Sequence, residues 1–179
     1  DQALLVDTGW PDNDGRDADR IAAAVRDAGL KKIDYVLITH YHDDHVGGVP
    51  QLLEKVPVGA FIDHGPNREE GAEKNYTMYE KAIAFSKVKR ILAKPGDVLP
   101  IVGMKATVVS SDGQLIHGGL DGEAEPNAFC KDAETPSADA TENSRSVGIE
   151  VSFGKLRLLD LGDLTKDKEK ELMCPANKL

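Results

Sequence analysis

Three of the five histidines in this 179-residue chain fall within six consecutive positions. They lie in the segment 39–48 (THYHDDHVGG), which also carries two neighbouring aspartates and ends in two glycines. Imidazole nitrogens and carboxylate oxygens are ligands that zinc takes in proteins, and a short loop can fold several of them inward. The segment therefore predicts a metal site formed by four side chains, His40, His42, Asp44 and His45.

The spacing of these four side chains favours two metal ions over one. Neighbouring Asp44 and His45 point in different directions from His40 and His42, so a single ion cannot easily bind all four. Two ions about 3.5–4 Å apart can share a bridging hydroxide and a bridging carboxylate. Asp163, which follows a strand-like apolar run and a glycine, is the predicted bridge. The alternatives are a helix-capping aspartate and a fortuitous surface cluster of histidines.

The chain alternates strand-like and helix-like patterns, and the histidine segment follows directly on one of the strands. That strand, residues 33–39 (IDYVLIT), is almost wholly apolar, as expected for a strand covered on both faces. Sites at the ends of such strands are common in α/β proteins. Further strands are predicted at 3–7, 58–63, 98–101, 104–110, 147–153 and 156–161, and helices between Asp17 and Gly29 and at 51–56, 73–86 and 166–172. The alternation indicates an α/β fold with a mixed sheet.

Composition limits the classes of function. The chain is 40% hydrophobic and 30% charged, which is typical of a soluble globular domain. Its formal net charge of −9 argues against a general nucleic-acid-binding surface and against docking on an anionic membrane. The sequence contains no run of 18 apolar residues that could span a bilayer. Lys87, Lys89 and Arg90 form a compact basic group that we expect to be a solvated edge, and residues 121–142 form a long acidic loop.

The two cysteines bear on the cellular compartment. Cys130 and Cys174 are too few for a disulfide framework, and their spacing fits no zinc-finger pattern. They form either one bridge or two reduced thiols. Because a bridge would suit an exported protein, we favour a periplasmic or secreted location over a cytoplasmic one.

The histidine motif resembles the signature of the metallo-β-lactamase fold superfamily. The resemblance rests on three segments: His40-x-His42-x-Asp44-His45 with Gly47-Gly48, the upstream Asp7-Thr8-Gly9, and the downstream Leu161-Gly162-Asp163. Within the superfamily, the pattern from Asn143 to Leu164 is similar to the ComEC-like branch, named for the hydrolase-like domain of a bacterial DNA-uptake protein.

This resemblance implies a four-layer αββα sandwich with mixed sheets, formed by residues 1–179 as a single domain. It implies two Zn²⁺ per complete domain, with Mn²⁺ or Fe as alternatives, and hydrolysis by a metal-bridging hydroxide that Asp44 orients. The ComEC-like pattern favours a phosphodiester or another phosphorylated substrate. The alternatives are a lactonase or β-lactamase-type hydrolase, and a non-catalytic metal- or partner-binding module that uses the acidic loop as its contact surface.

The chain departs from the superfamily pattern at the third histidine. The superfamily usually supplies this ligand to the first metal from a strand between the main motif and the bridging aspartate. Here the strand predicted at 104–110 ends in serine at position 110. His64 and His117 are the substitutes that the chain offers.

The resemblance also bears on the surroundings of the motif. The superfamily's final histidine beyond Asp163 and its opening strands before Asp7 are missing, so we expect a fragment of a longer protein. Asp7 is predicted to orient a metal ligand through hydrogen bonds, with a plain turn aspartate as the alternative. Trp10 and Tyr41 flank the motif and are candidates to line a substrate groove.

Overall fold

A computed structural model of the protein describes residues 2–11, 13–120, 122 and 124–179. The chain divides into two compact units, Asp1–Leu92 and Ala93–Leu179, and each contains a four-stranded sheet. The predicted α/β class is confirmed. The organisation of residues 1–179 as one domain stays a prediction.

The first unit has a parallel sheet in the order β1-β2-β3-β4. Its strands and helices are Leu4–Val6 (β1), Arg16–Asp27 (α1), Ile33–Leu37 (β2), Asp43–Val46 (α2), Val49–Lys55 (α3), Val58–Asp63 (β3), Glu73–Ser86 (α4) and Lys89–Leu92 (β4). Because all four strands run in one direction, their carboxyl ends lie at the same edge of the sheet. Asp7, the histidine segment and His64 follow the ends of β1, β2 and β3 at that edge.

The core of the first unit packs β2 and β3 against α1, α3 and α4. Val36 and Phe61 on the strands are fully buried, as are Leu52 on α3 and Tyr79 on α4. The apolar composition of β2 thus corresponds to a strand covered on both faces. This packing fixes the strand end from which the histidine segment emerges.

Gly47 and Gly48 are required by a close approach of two chain segments. Both have ordinary helical φ angles, −62° and −77°, so a left-handed backbone conformation does not explain them. A Cβ on Gly48 would overlap the carbonyl oxygen of Thr8, and one on Gly47 would overlap Pro11 and the Asp43 carbonyl. The two glycines therefore let the histidine segment pack directly on the turn that follows β1.

The second unit has an antiparallel sheet in the order β6-β5-β8-β9 and a small antiparallel pair, β10-β7. Its elements are Lys105–Ser111 (β5), Gln114–Leu115 (β6), Glu125–Pro126 (β7), Gly148–Phe153 (β8), Leu156–Asp160 (β9), Lys166–Met173 (α5) and Ala176–Asn177 (β10). Each four-stranded sheet therefore has a single type of pairing, parallel in the first unit and antiparallel in the second. The strand expected at 98–101 is wrong: Val98 forms an isolated bridge to Thr107, and Pro100 has no N–H with which to continue a ladder.

The acidic loop is tied to α5 in the second unit. Cys130 and Cys174 form a disulfide, so the bridged alternative is the one realised. Lys170 on α5 donates hydrogen bonds to the carbonyls of Ala133 and Glu134, at 3.1 and 2.8 Å. Asp121 and Glu123, two acidic residues of this loop, lie outside the described residues. In the described part of the chain, none of the helices has the length and apolar character needed to cross a membrane.

Candidate metal centre

The predicted ligands lie on a short segment that leaves β2 and enters α2. His40 is fully buried and lies three residues after Leu37, the last residue of β2. His42, in an extended conformation, is the N-cap of α2. Asp44 and His45 are on α2 itself. Asp43, the first residue of α2, is exposed.

The imidazoles of the three histidines converge. His40 Nε2 lies 3.0 Å from His42 Nδ1, and the ring centroids of His40 and His45 are 4.0 Å apart. His45 Nε2 lies 3.6 Å from a carboxylate oxygen of Asp44. Two nitrogen ligands bound tetrahedrally at 2.0–2.1 Å from one zinc ion would be about 3.3 Å apart. The 3.0 Å separation of His40 Nε2 and His42 Nδ1 is thus close to that of two ligands on one metal ion.

Burial keeps His40 in the form that binds metal. Removal from water, followed by the charges of His45, His42 and His64, lowers the pKa of His40 to about 2. The imidazole is therefore neutral at physiological pH, and metal binding at this nitrogen does not have to displace a proton.

Asp7 selects which nitrogen of His45 carries the proton. A carboxylate only accepts hydrogen bonds, so the 2.7 Å contact between Asp7 Oδ2 and His45 Nδ1 places the proton of the neutral ring on Nδ1. The lone pair of His45 is then on Nε2, the nitrogen that faces Asp44. The hydrogen bond predicted for Asp7 is thus made to His45, and the role of His45 as a metal ligand stays a prediction.

Thr39 connects Asp7 to His40 through hydrogen bonds. Its hydroxyl donates to Asp7 Oδ2 at 2.8 Å and its backbone N–H donates to Asp7 Oδ1 at 2.8 Å. With its one proton committed, the hydroxyl oxygen accepts from His40 Nδ1 at 3.0 Å. The lone pair of His40 is then on Nε2, the atom that faces His42.

Glu69 contacts the remaining histidine, His42, and no pattern in the sequence indicates this contact. Its carboxylate oxygen lies 3.1 Å from His42 Nε2, which places the proton of the neutral ring on that nitrogen and the lone pair on Nδ1. With both rings neutral, His40 Nε2 and His42 Nδ1 therefore both offer lone pairs, 3.0 Å apart. Two such nitrogens repel, and a cation to one side of the line that joins them, about 2 Å from each, would turn the repulsion into two coordination bonds. The donor set fits a metal ion.

Comparison with known proteins places the chain in a family. A family model described as the metallo-beta-lactamase superfamily matches residues 1–124. The chain belongs to this superfamily. A metallo-beta-lactamase of Cronobacter sakazakii with a HARLDQ motif is 14% identical and superposes with a TM-score of 0.51 over 96% of this chain and 62% of the other. The predicted metallo-β-lactamase fold is confirmed.

Curated relatives match over shorter stretches. The hydroxyacylglutathione hydrolase of Stenotrophomonas maltophilia is 36% identical over 73 residues, which are 41% of this chain and 28% of the relative. The enzyme of the same name from Klebsiella pneumoniae subsp. pneumoniae is 34% identical over 97 residues, 54% of this chain and 32% of the relative. The chain thus spans about a third of the length of these relatives.

The position at which superfamily members usually supply a third histidine has a structural role here. The Ser110 hydroxyl donates to the Ser146 carbonyl and accepts from the Gly148 N–H, both at 2.9 Å, so it joins β5 to β8. His117 is exposed in the same unit. Asp163, which follows β9, is also exposed. Its role as a bridging ligand stays a prediction.

Trp10 and Tyr41, the two residues expected to line a substrate groove, differ in their exposure to solvent. Trp10 is 46% exposed. Its backbone N–H donates to the Asp17 carboxylate, which therefore caps the turn before α1. Asp17 does not cap the N-terminus of α1 itself. Tyr41 is fully buried, so its predicted place in a substrate groove is wrong. Its ring packs on that of His64, which is 5% exposed, with centroids 4.6 Å apart.

The expectation that Arg90 belongs to a solvated edge is also wrong. Its guanidinium donates from Nε and Nη2 to Asp63 at 2.7 and 2.9 Å, and Asp63 is fully buried. The expected solvated edge therefore does not include Arg90. The signal in the sequence was Asp63 itself, because a carboxylate that ends an apolar buried strand needs a charged partner.

Proposed function

We propose that this superfamily member is a metal-dependent hydrolase whose metal is held by His40, His42, Asp44 and His45. The observation that carries the proposal is the contact between His40 Nε2 and His42 Nδ1, which lie 3.0 Å apart. Asp7 and Glu69 fix the tautomers that produce this pair, and outer partners of this kind commonly orient metal-binding histidines.

The proposed metal complement is two Zn²⁺ per complete domain, with Mn²⁺ or Fe as alternatives. When bound, such ions supply Lewis acidity and lower the pKa of water. Asp163 is proposed as the carboxylate that the two ions share, and His64 or His117 as the substitute for the third histidine. Asp44, whose side chain is 41% exposed, would hold the second ion and orient the attacking oxygen nucleophile.

The names of the curated relatives point to a thioester as the substrate class. Both curated relatives described above carry the name hydroxyacylglutathione hydrolase. We therefore propose a small acyl thioester as the first substrate class to test, with lactones and β-lactams as related carbonyl substrates. The ComEC-like branch and the phosphodiester substrate inferred from it stay predictions.

Metal content by elemental analysis tests the site. We expect bound zinc in the wild-type chain and in Asp43→Ala, which changes an exposed neighbour of the site, and loss of zinc in His42→Ala. Asp163→Ala should lower the stoichiometry if this carboxylate is shared. Absence of bound metal from the wild-type chain after reconstitution with Zn²⁺ would refute the proposal.

Substrate classes are separated by one panel of assays on the zinc-loaded protein. The panel contains a hydroxyacyl glutathione thioester, a chromogenic phosphodiester, a lactone and a β-lactam. Turnover that His42→Ala abolishes identifies the class. Tight zinc binding with no turnover on any of the four would favour the non-catalytic module.

We also propose that the protein is exported. The disulfide between Cys130 and Cys174 supports an oxidising compartment. Mass spectrometry of native material under thiol-blocking conditions should find both cysteines bridged, and two alkylated thiols would contradict the proposal.

A further inference from the structure

A buried network of polar side chains surrounds Asp63 at the end of β3. The carboxylate is fully buried and lies within hydrogen-bond distance of five donors. These are Arg90 Nε and Nη2 at 2.7 and 2.9 Å, the Gly65 N–H at 2.7 Å, the Tyr79 hydroxyl at 2.8 Å and the Tyr41 hydroxyl at 3.1 Å. This carboxylate takes no part in the chemistry proposed above, yet one of its partners belongs to the histidine segment.

Tyr41 connects the network to the metal site. It stands between His40 and His42, and its fully buried ring packs between those of His64 and Tyr76, at centroid distances of 4.6 and 4.7 Å. The flanking rings of His40 and His42 meet each other at 3.0 Å, whereas the Tyr41 ring packs on those of His64 and Tyr76. The core position of Tyr41 therefore constrains the backbone from which both histidines project.

The tyrosine hydroxyl is held on several sides. Its single proton is shared between two acceptors, the Gly65 carbonyl at 2.5 Å and Asp63 Oδ1 at 3.1 Å, and its oxygen accepts from Arg90 Nη2 at 3.3 Å. Burial, followed by the negative charge of Asp63, raises the pKa of Tyr41, so the group remains a hydroxyl. The depth and rotation of the ring are thus set by polar contacts as well as by packing.

We propose that the Arg90–Asp63 ion pair, acting through the Tyr41 hydroxyl, is a positioning device that fixes the spacing of the His40 and His42 nitrogens and so sets the affinity for metal. This inference rests on the proposed function, because it requires these two histidines to be ligands. Arg90 and Asp63 are positioning residues and do not themselves contact the metal.

The chain offers a matched pair of variants that separates positioning from general stability. Tyr41→Phe and Tyr79→Phe each remove one buried hydroxyl that contacts Asp63, and each keeps the aromatic ring. Tyr79 lies on α4, outside the histidine segment. Substitution of Asp63 or Arg90 itself would leave a buried charge without its partner and could prevent folding.

The experiment measures the affinity of the wild-type chain and both variants for Zn²⁺ by competition with a chromophoric chelator, with thermal melts of the metal-depleted proteins alongside. Loss of an outer partner typically weakens metal binding by about 10–100-fold. We expect Tyr41→Phe to weaken Zn²⁺ affinity by about 10-fold, the lower end of that range, and Tyr79→Phe to leave the affinity unchanged. Both variants should show similar decreases in melting temperature. The Co²⁺ absorption spectrum should change in Tyr41→Phe alone, because the angle between the two nitrogens changes.

Three other outcomes would overturn the positioning role, and they differ in what they imply for the proposed function. Equal Zn²⁺ affinity in Tyr41→Phe and the wild type, with a normal Co²⁺ spectrum, would overturn the positioning role and leave the proposed function intact. Weakening of equal size in both variants would also overturn it, since the network would then act through stability alone. Failure of the wild-type chain to bind Zn²⁺ would overturn both proposals.

Discussion

Replacement of Asp7 by asparagine should change which nitrogen of His45 carries the proton. The Asp7 carboxylate accepts three hydrogen bonds: Oδ1 from the Thr39 N–H, and Oδ2 from the Thr39 hydroxyl and His45 Nδ1. Asparagine has only one acceptor oxygen. If that oxygen stays with the Thr39 N–H, the amide NH₂ faces His45 Nδ1 and donates to it, so the ring proton moves to Nε2.

The expected magnitude follows from this switch. With its proton on Nε2, His45 no longer presents a lone pair on the side of Asp44. Outer partners of metal-binding histidines are worth about 10–100-fold in affinity, or about 1.4–2.7 kcal/mol. Asparagine is also a clean substitution for the backbone, because Asp7 has a φ of 57° and asparagine tolerates this left-handed region better than most residues.

Competition with a chelator measures the Zn²⁺ affinity, and ¹⁵N chemical shifts of the imidazole nitrogens report the tautomer directly. Asp43→Asn is the control, since it makes the same chemical change at an exposed position next to the ligands. Wild-type affinity in Asp7→Asn, or an unchanged His45 tautomer, would refute the assignment of protons in this site.

Two predictions concern stability. Gly48→Ala should destabilise the fold by about 1–3 kcal/mol, as overpacking does, because the new methyl group overlaps the Thr8 carbonyl; Gly118→Ala, whose Cβ would come no closer than 3.5 Å to another atom, should have little effect in the same urea titration. Cys130→Ser should lower the free energy of unfolding by about 4 kcal/mol, the loop-closure value for a sequence separation of 44. Reduced wild-type protein should match that variant, and a reduced wild type as stable as the oxidised one would contradict the expectation.

Local patterns allowed several elements to be predicted closely. The strand at 58–63 and the helix at 73–86 have the same bounds in the structure, because each is a continuous run with a clear end signal. The helix predicted at 51–56 begins earlier, at Val49, with Pro50 in its first turn, where the missing N–H costs nothing. The strand at 98–101 failed because one proline interrupts an otherwise apolar run.

The polar partners of the site could not be predicted in this way. Glu69 reaches His42, and Arg90 reaches Asp63, across a separation of 27 residues in each case. Neither glutamate nor arginine stands in a motif, and both residue types are usually solvated, so composition favoured an exposed position for each. Their pairing depends on which loops and strands meet at the edge of the parallel sheet.

The sequence by itself determined which donor atoms are available, since the residue types and spacing at 40–45 suffice to indicate a metal site in an α/β fold. The tertiary structure decided how those donors are presented. Asp7 and Glu69 set the protonated nitrogen of each ring, and the buried ring of Tyr41 constrains the backbone from which the two flanking histidines project. The physical reason is that a tautomer and a ring orientation depend on hydrogen-bond partners distant in sequence, whereas the identity of a ligand does not.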